Sequence, residues 1–301
     1  MKDLHMHTVF SDGKNTPEEM VQEAIRLGLD TVGISDHSHL DPCGMTLEAS
    51  AEYRAEIARL KEKYAGQIRV LCGLERDFIS DDFAEYDYVI GSVHLLTMPD
   101  GHHVSIDWTA DKQREGVEKY FGGDWYAFAE AFFETEAKVV EVTKCDIIGH
   151  FDLISKFIEQ EPSFDVHHPR YVKAWQKAAD ALLKTGKPFE INTGAISRGY
   201  RTSPYPAREI RDYIRAHGGK LILSSDSHSK ETIAFKFEEY ADEADPQIQN
   251  SEFRINGLAS QSIDCDSMKK FLEKFGNFFY LPASYRVRPE KPVKRKETEN
   301  I

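Results

Sequence analysis

Seven short apolar runs in this 301-residue chain each deliver a polar, ligand-type side chain at their C-terminal end. Asp3-Leu4 leads into His5-Met6-His7, and the run 31–35 ends in Asp36-His37. The run 69–74 ends in Glu75, 88–93 in His94, and 146–149 in His150. The run 188–191 ends in Asn192, and 221–225 ends in Asp226-Ser227-His228. One strand ending in histidine is ordinary, but packing alone does not call for seven in succession. In parallel barrels, chemistry gathers at the C-terminal ends of the strands. The pattern therefore predicts a fold and an active site together.

Helix signals fill the gaps between the runs. Thr16-Pro17-Glu18-Glu19 reads as an N-cap, a proline at the first helical position and a capping-box glutamate. Met20, Ala24 and Leu27 then share a face, and Gly28 ends the helix. Further helices are expected over 47–64, 124–142, 170–184, 206–217 and 268–275. Strands alternating with helices indicate βα units and a parallel sheet. Seven strands is one short of the usual barrel, and an open doubly wound sheet is the alternative. Ligand-type residues from nearly every strand fit a closed ring better, and no glycine-rich dinucleotide fingerprint follows the first strand. The expectation is one α/β domain over 1–285, a distorted seven-stranded TIM-like barrel. A long excursion covers 95–123, and a charged tail over 286–301 is expected to be disordered.

Composition narrows the function. A formal charge of −13 argues against a nucleic-acid partner, which would need lysine and arginine in excess. No apolar run approaches the roughly 18 residues of a membrane span. The start Met1-Lys2-Asp3 has no apolar leader, and Cys43, Cys72, Cys145 and Cys265 show no close pairing. A cytoplasmic chain with reduced thiols is expected.

His5-Met6-His7 sets two imidazoles two residues apart, which on a strand places them on one face. Asp226-Ser227-His228 repeats the spacing, and Asp12, His37, Glu75, His94 and His150 add to the same barrel end. Imidazole and carboxylate without thiolate suit zinc, manganese or iron. These nine candidates are too many for one tetrahedral ion, so three ions, or two sharing a carboxylate, would use them. Such ions would outweigh the three carboxylates and attract a phosphate dianion.

As an ordered set, these pieces resemble the PHP superfamily, named for polymerase and histidinol phosphatase domains. The resemblance is carried by His5-Met6-His7 with Ser11-Asp12-Gly13, then Ser35-Asp36-His37, Gly73-Leu74-Glu75, Gly91-Ser92-Val93-His94, Ile148-Gly149-His150 and Ser225-Asp226-Ser227-His228. The stand-alone length and the stretches 87–94, 146–154 and 190–193 are similar to the histidinol-phosphate phosphatase branch. The resemblance implies a distorted (β/α)7 barrel with two to three divalent ions. His5, His7, Glu75 and Asp226 would hold one ion. Glu75 would bridge to a second with His94 and His150, and Asp12, His37 and His228 would hold the third. Asp36 would orient a neighbouring ligand. Arg76 departs from expectation, because an apolar or small residue is expected after the central glutamate.

The implied reaction is two-metal hydrolysis of a small phosphomonoester, L-histidinol phosphate in histidine biosynthesis. Asp226 or His228 would give the leaving oxygen its proton. Arg198, on the loop after Asn192, is expected to clamp phosphate, for which Lys156 and Arg76 are less well placed. Asn192 and His39 are expected to meet substrate. His102, His103, His167, His168 and His217 stay outside the site, His217 at a helix C-terminus. The competing readings are a phosphoesterase for another small phosphomonoester or nucleotide, and a non-catalytic metal or phosphate-binding module.

Overall fold

All seven apolar runs become parallel strands of one sheet. The computed structural model of the protein describes residues 1–249. The helix expected over 268–275, Cys265, the tail and the domain's end at 285 lie outside the described residues. The elements are β1 (Lys2–Asp3), α1 (Pro17–Arg26), β2 (Thr31–Ile34), α2 (Leu47–Lys63), β3 (Arg69–Asp77), β4 (Tyr88–Ser92), β5 (Leu95–Thr97), β6 (His103–Ser105) and α3 (Ala110–Phe121). They continue with α4 (Trp125–Glu136), α5 (Val139–Thr143), β7 (Ile147–Ile148), α6 (Pro169–Leu183), β8 (Phe189–Asn192), α7 (Gly194–Ser197), α8 (Arg208–Ala216) and β9 (Leu221–Ser224). The sheet runs β1-β2-β3-β4-β7-β8-β9. A parallel bridge from Met6 to Ser227 joins its two ends, with His7 N donating to Ser227 O at 2.8 Å. The ring closes, and the open-sheet alternative falls.

Strand alternation sorts the side chains. Leu71 and Glu75 of β3 lie on one face, and Cys72 and Leu74 on the other. Leu71 packs with Leu4, Tyr88, Ile90, Ile147 and Ile222 inside the barrel. Cys72 and Leu74 pack with Val32, Ile34, Met20 and Ile57 under α1 and α2. Tyr88 fills the barrel because β2 and β3 give way to it. A Cβ on Gly33 or Gly73 would come within 2.2 Å of the Tyr88 ring or its hydroxyl. Each inward row is thus apolar at its base and polar at its top, which lifts the polar residues to the C-terminal mouth.

The helices form where their signals lie. Thr16 and Glu19 make the reciprocal capping box, a contact worth about 1 kcal/mol. Gly28 follows α1 with φ +75°. The helix expected over 124–142 is two helices, α4 and α5, broken at Ala137 and Lys138. The second half is rich in β-branched Val139, Val140, Val142 and Thr143, which lose rotamer freedom in a helix. The excursion over 95–123 is structured: β5 and β6 form a hairpin, and α3 packs Val117 and Phe121 into the core around α4 and α6. His217 caps α8, its ring nitrogen Nδ1 meeting Tyr213 O at 2.8 Å. Cys43, Cys72 and Cys145 are free thiols.

Candidate active site

Glu75 stands at the centre of the barrel mouth, 1% exposed. Its Oε1 accepts from Ser92 Oγ at 2.6 Å and lies 2.9 Å from His150 Nε2 and 3.5 Å from His94 Nε2. Its Oε2 lies 3.3 Å from His5 Nε2, 3.4 Å from His7 Nε2 and 3.0 Å from His37 Nδ1. One carboxylate therefore faces five imidazoles from four strand ends. Asp226 Oδ1 lies 3.4 Å from His7 Nε2 and 3.9 Å from His5 Nε2. Asp12 lies 3.7 Å from His37 Nε2 and 3.3 Å from His228 Nε2. All nine sequence candidates converge.

The donor chemistry fits divalent ions. His5 Nε2, both nitrogens of His7, His37 Nδ1, His94 Nδ1 and Glu75 Oε2 are buried without a hydrogen-bond partner. They lie near other polar atoms at angles that make no hydrogen bond. His94 Nε2 and His150 Nε2 face each other at 3.3 Å, two nitrogens that are both acceptors when the imidazoles carry their protons on Nδ1. Nitrogen and oxygen ligands about 2.0–2.2 Å from a tetrahedral ion would be about 3.4 Å apart, the spacing seen here. Four groups gather donors within 4.8 Å: His7-Asp12-His37-His228, His5-His7-Glu75, His37-Asp41-His94 and Glu75-His94-His150.

Electrostatics point the same way. Burial opposes charge on His5 and His94, yet the facing carboxylates raise both well above the ordinary imidazole value. His37, also against its burial, rises to about 10 under Glu75 and Asp41. His7 falls to about 3 through burial and then the neighbouring His37 and His228. Burial would raise Glu75 and Asp226, but imidazoles, and Arg198 for Asp226, hold both well below the carboxylate range. The facing carboxylates thus favour cationic charge at this site, and a divalent ion that binds must displace the protons its ligands carry.

Outer groups fix the donors. Glu190 Oε1 meets His5 Nδ1 at 2.7 Å, and its Oε2 accepts from His150 N and Asn192 Nδ2, each at 3.1 Å. Asp77 accepts the His94 N–H at 2.8 Å and lies 3.2 Å from His94 Nδ1, which Asp41 approaches to 3.1 Å. Sequence reading missed all three. Asp77 follows Glu75 by two residues and Glu190 precedes Asn192 by two, so strand alternation could have found both. Asp41 arrives through a loop and gave no signal.

Three of the expected residues are engaged by neighbours within the protein. Asn192 is fully buried, donating to Glu190 and to Asp226 Oδ2 (3.2 Å) and accepting from Gly194 N at 2.9 Å. Both ends of its amide are engaged within the protein, next to Asp226. His39 lies in a turn and pairs with Asp81 at 2.6 Å. Asp36 touches no candidate imidazole by hydrogen bond. It accepts from Thr8 N and Oγ1, both 2.7 Å, and from Ser11 Oγ, fixing the loop that carries Asp12.

Arg198 reaches the mouth as expected. Its Nη1 donates to Asp226 O at 2.8 Å and meets His228 Nδ1 at 2.7 Å, and its Nη2 donates to Asp226 Oδ2 at 3.0 Å. Asp226 itself holds φ +48°, a costly conformation for a side-chain-bearing residue and one that clusters at functional sites. A Cβ on Gly194 would come within 2.8 Å of the Asp226 side chain.

Comparison with known proteins gives the family. The model of the PHP domain matches residues 3–194. The chain is 30% identical to a "probable histidinol-phosphatase" of Deinococcus radiodurans over 78% of this chain and 89% of that one. It is 24% identical to the histidinol-phosphatase of Bacillus subtilis over 79% of this chain and 97% of that one. Among solved structures, histidinol phosphate phosphatase of Lactococcus lactis, complexed with zinc, L-histidinol and phosphate, shares the fold. Its TM-score is 0.61 at 22% identity, covering 80% of this chain and 91% of that one. The chain belongs to the PHP domain family, on the branch of the histidinol-phosphatases.

Proposed function

We propose that this chain is a metal-dependent phosphomonoesterase that hydrolyses L-histidinol phosphate to L-histidinol and phosphate in histidine biosynthesis. The observation that carries the reading is the convergence of nine candidate ligands at one barrel mouth, five of them imidazoles facing the two oxygens of Glu75, in a chain similar along most of its length to histidinol-phosphatases. His5, His7, Glu75 and Asp226 would hold one ion, Glu75, His94 and His150 a second, and Asp12, His37 and His228 a third. Zinc, manganese and iron all suit this donor set. Two or three such ions would neutralise the phosphoryl oxygens and acidify the attacking water.

The chain's own residues supply the rest. Arg198 presents a planar guanidinium beside Asp226 and His228, and can exchange the Asp226 carboxylate for a phosphate of similar geometry. Asp226 Oδ2 and His228 Nδ1, both facing Arg198, are placed to hold a proton for the leaving alkoxide. His228, with a side chain 21% exposed against 6% for Asp226, is more readily reprotonated from solvent. Asn192 and Glu190 keep Asp226 and His5 in place. Among the described residues no helix is long and apolar enough to cross a membrane. The reading includes a cytoplasmic location, in keeping with a biosynthetic role.

The test is turnover of L-histidinol phosphate against a panel of small phosphomonoesters and nucleotides. Histidinol phosphate should be preferred, exhaustive chelation should abolish turnover, and manganese, zinc or iron should restore it. Preference for another phosphomonoester would overturn the substrate. Full activity in protein shown metal-free by elemental analysis would overturn the mechanism.

A further inference from the structure

One carboxylate at the mouth faces a lysine rather than a candidate ligand. Asp107 follows directly on Ile106, whose N–H donates to His94 O at 2.8 Å. Gln113 braces the same segment, its Nε2 donating to Ile106 O at 2.8 Å and to Ile154 O at 3.1 Å. The carboxylate is thereby fixed next to a strand end of the site. Lys156, on the turn after His150, donates its ammonium to Asp107 O at 2.7 Å and to Asp107 Oδ2 at 3.0 Å. The pair ties the loop that follows β4 to the loop that follows β7. Its side chains are only 24% and 11% exposed.

Three observations mark this pair as part of the mouth. The Asp107 carboxylate lies within electrostatic reach of His94, His150, Arg198 and Tyr205. Its Oδ1 has no hydrogen-bond partner among the described residues. The Tyr205 hydroxyl is buried without a partner too, on a ring 6.2 Å from that of His150. A carboxylate here repels phosphate. It is useful only to a substrate that carries a positive charge close to its phosphoryl group. L-Histidinol phosphate has one: an ammonium on the carbon next to the ester methylene.

We propose that Asp107 is a specificity-determining residue that receives the substrate ammonium on its free carboxylate oxygen, selecting 2-ammonioalkyl phosphates over phosphomonoesters without that charge. The inference rests on the proposed histidinol-phosphate reading and names the group that enforces it. Lys156 is the resident cation with which the substrate ammonium competes, and Tyr205 offers a hydroxyl at the same end of the mouth. An ion pair that only braced the two loops would affect every phosphomonoester alike.

The experiment uses the full, metal-loaded chain. It reads the ratio of kcat/KM for L-histidinol phosphate to kcat/KM for its deamino analogue, 3-(imidazol-4-yl)propyl phosphate. In the parent the ratio should favour histidinol phosphate. Asp107→Asn should lower it roughly 10-fold or more, the loss of one charged contact. The same substitution should weaken binding of L-histidinol measured by calorimetry. Lys156→Met should raise the ratio, since Asp107 then lacks its resident cation, and this variant carries the test if Asp107→Asn does not fold. A parent ratio near one, or an unchanged ratio in both variants, overturns the inference and leaves the phosphatase reading standing. A parent inactive on histidinol phosphate but active on other phosphomonoesters overturns both.

Discussion

Glu190→Gln separates the stability of the fold from its grip on metal. Glu190 receives three donors: His5 Nδ1 at 2.7 Å, His150 N at 3.1 Å and Asn192 Nδ2 at 3.1 Å. An amide can accept on one side only. If its NH2 faces His150, a buried N–H loses its acceptor, at a cost of about 1–3 kcal/mol. Asn192 suffers less, because Asp226 Oδ2 also accepts from it at 3.2 Å. If the NH2 instead faces His5, Nδ1 must become the acceptor and the proton moves to Nε2. That proton then points towards Glu75 Oε2, 3.3 Å away, which the metal-free protein tolerates well. The second arrangement costs the metal-free fold less, and it removes the lone pair that His5 would offer an ion. Loss of such an outer partner lowers metal affinity by about 10–100-fold. Zinc affinity, measured by competition with a chromophoric chelator, should fall by that factor. The metal-free protein should lose about 1 kcal/mol or less, a Tm shift of about 2 °C or less for a chain of this size. A zinc affinity within about threefold of the parent would refute the reasoning, since the outer carboxylate would then not set the His5 tautomer.

Glu75→Gln should strip more metal than Asp12→Asn, because Glu75 faces five imidazoles and Asp12 two. Equal losses by elemental analysis would contradict a bridging Glu75. Arg198→Ala should lower kcat/KM for histidinol phosphate roughly 10–150-fold, the worth of a charge-assisted contact, with Arg198→Lys recovering part. A value within about twofold of the parent would remove Arg198 from phosphate binding. Glu136 is 2% exposed in α4, and burial, reinforced by Asp77 against the opposing pull of His94, raises its pKa well above the carboxylate range. A raised carboxyl contributes fully below its ordinary value, and its contribution is lost as pH climbs through the folded value. Glu136→Gln should therefore match the parent in urea unfolding near pH 4 and exceed it increasingly towards about pH 8. A difference that does not change with pH would mean that Glu136 is ionised in the folded protein.

The strands were legible because two signals coincided, apolar runs and the polar residue that closes each. All seven run in parallel as read, and β3 continues to Asp77. The insertion was less legible. Its hairpin strands are three residues each, too short for alternation to register, and α3 carries its apolar residues within a charged sequence. The candidate ligands other than Asp12 were found because each sits at or just past a strand end, where chain direction fixes the face. Beyond the strand end that inference lapses. His39 lies two residues after His37, the same spacing as His5 and His7, yet the chain has left the sheet and His39 meets Asp81 instead. Asp41 comes back towards His94 for the same reason, by a loop path that spacing does not encode.

Arg76 shows how alternation divides neighbouring chemistry. A cation beside the central carboxylate reads in the sequence as a threat to the pocket. In the structure the strand turns it outward: Arg76 Nη1 donates to Thr143 O at 2.7 Å, and its guanidinium lies 4.9 Å from the Phe83 ring centroid. The carbonyl it takes belongs to the last residue of α5, where a helix leaves its acceptors unpaired and favours positive charge. The cation is 4% exposed and has no carboxylate partner within ion-pair distance among the described residues, so burial lowers its pKa. Glu75 thus keeps its imidazoles to itself, while the next residue along the chain secures the helix that precedes β7 and His150.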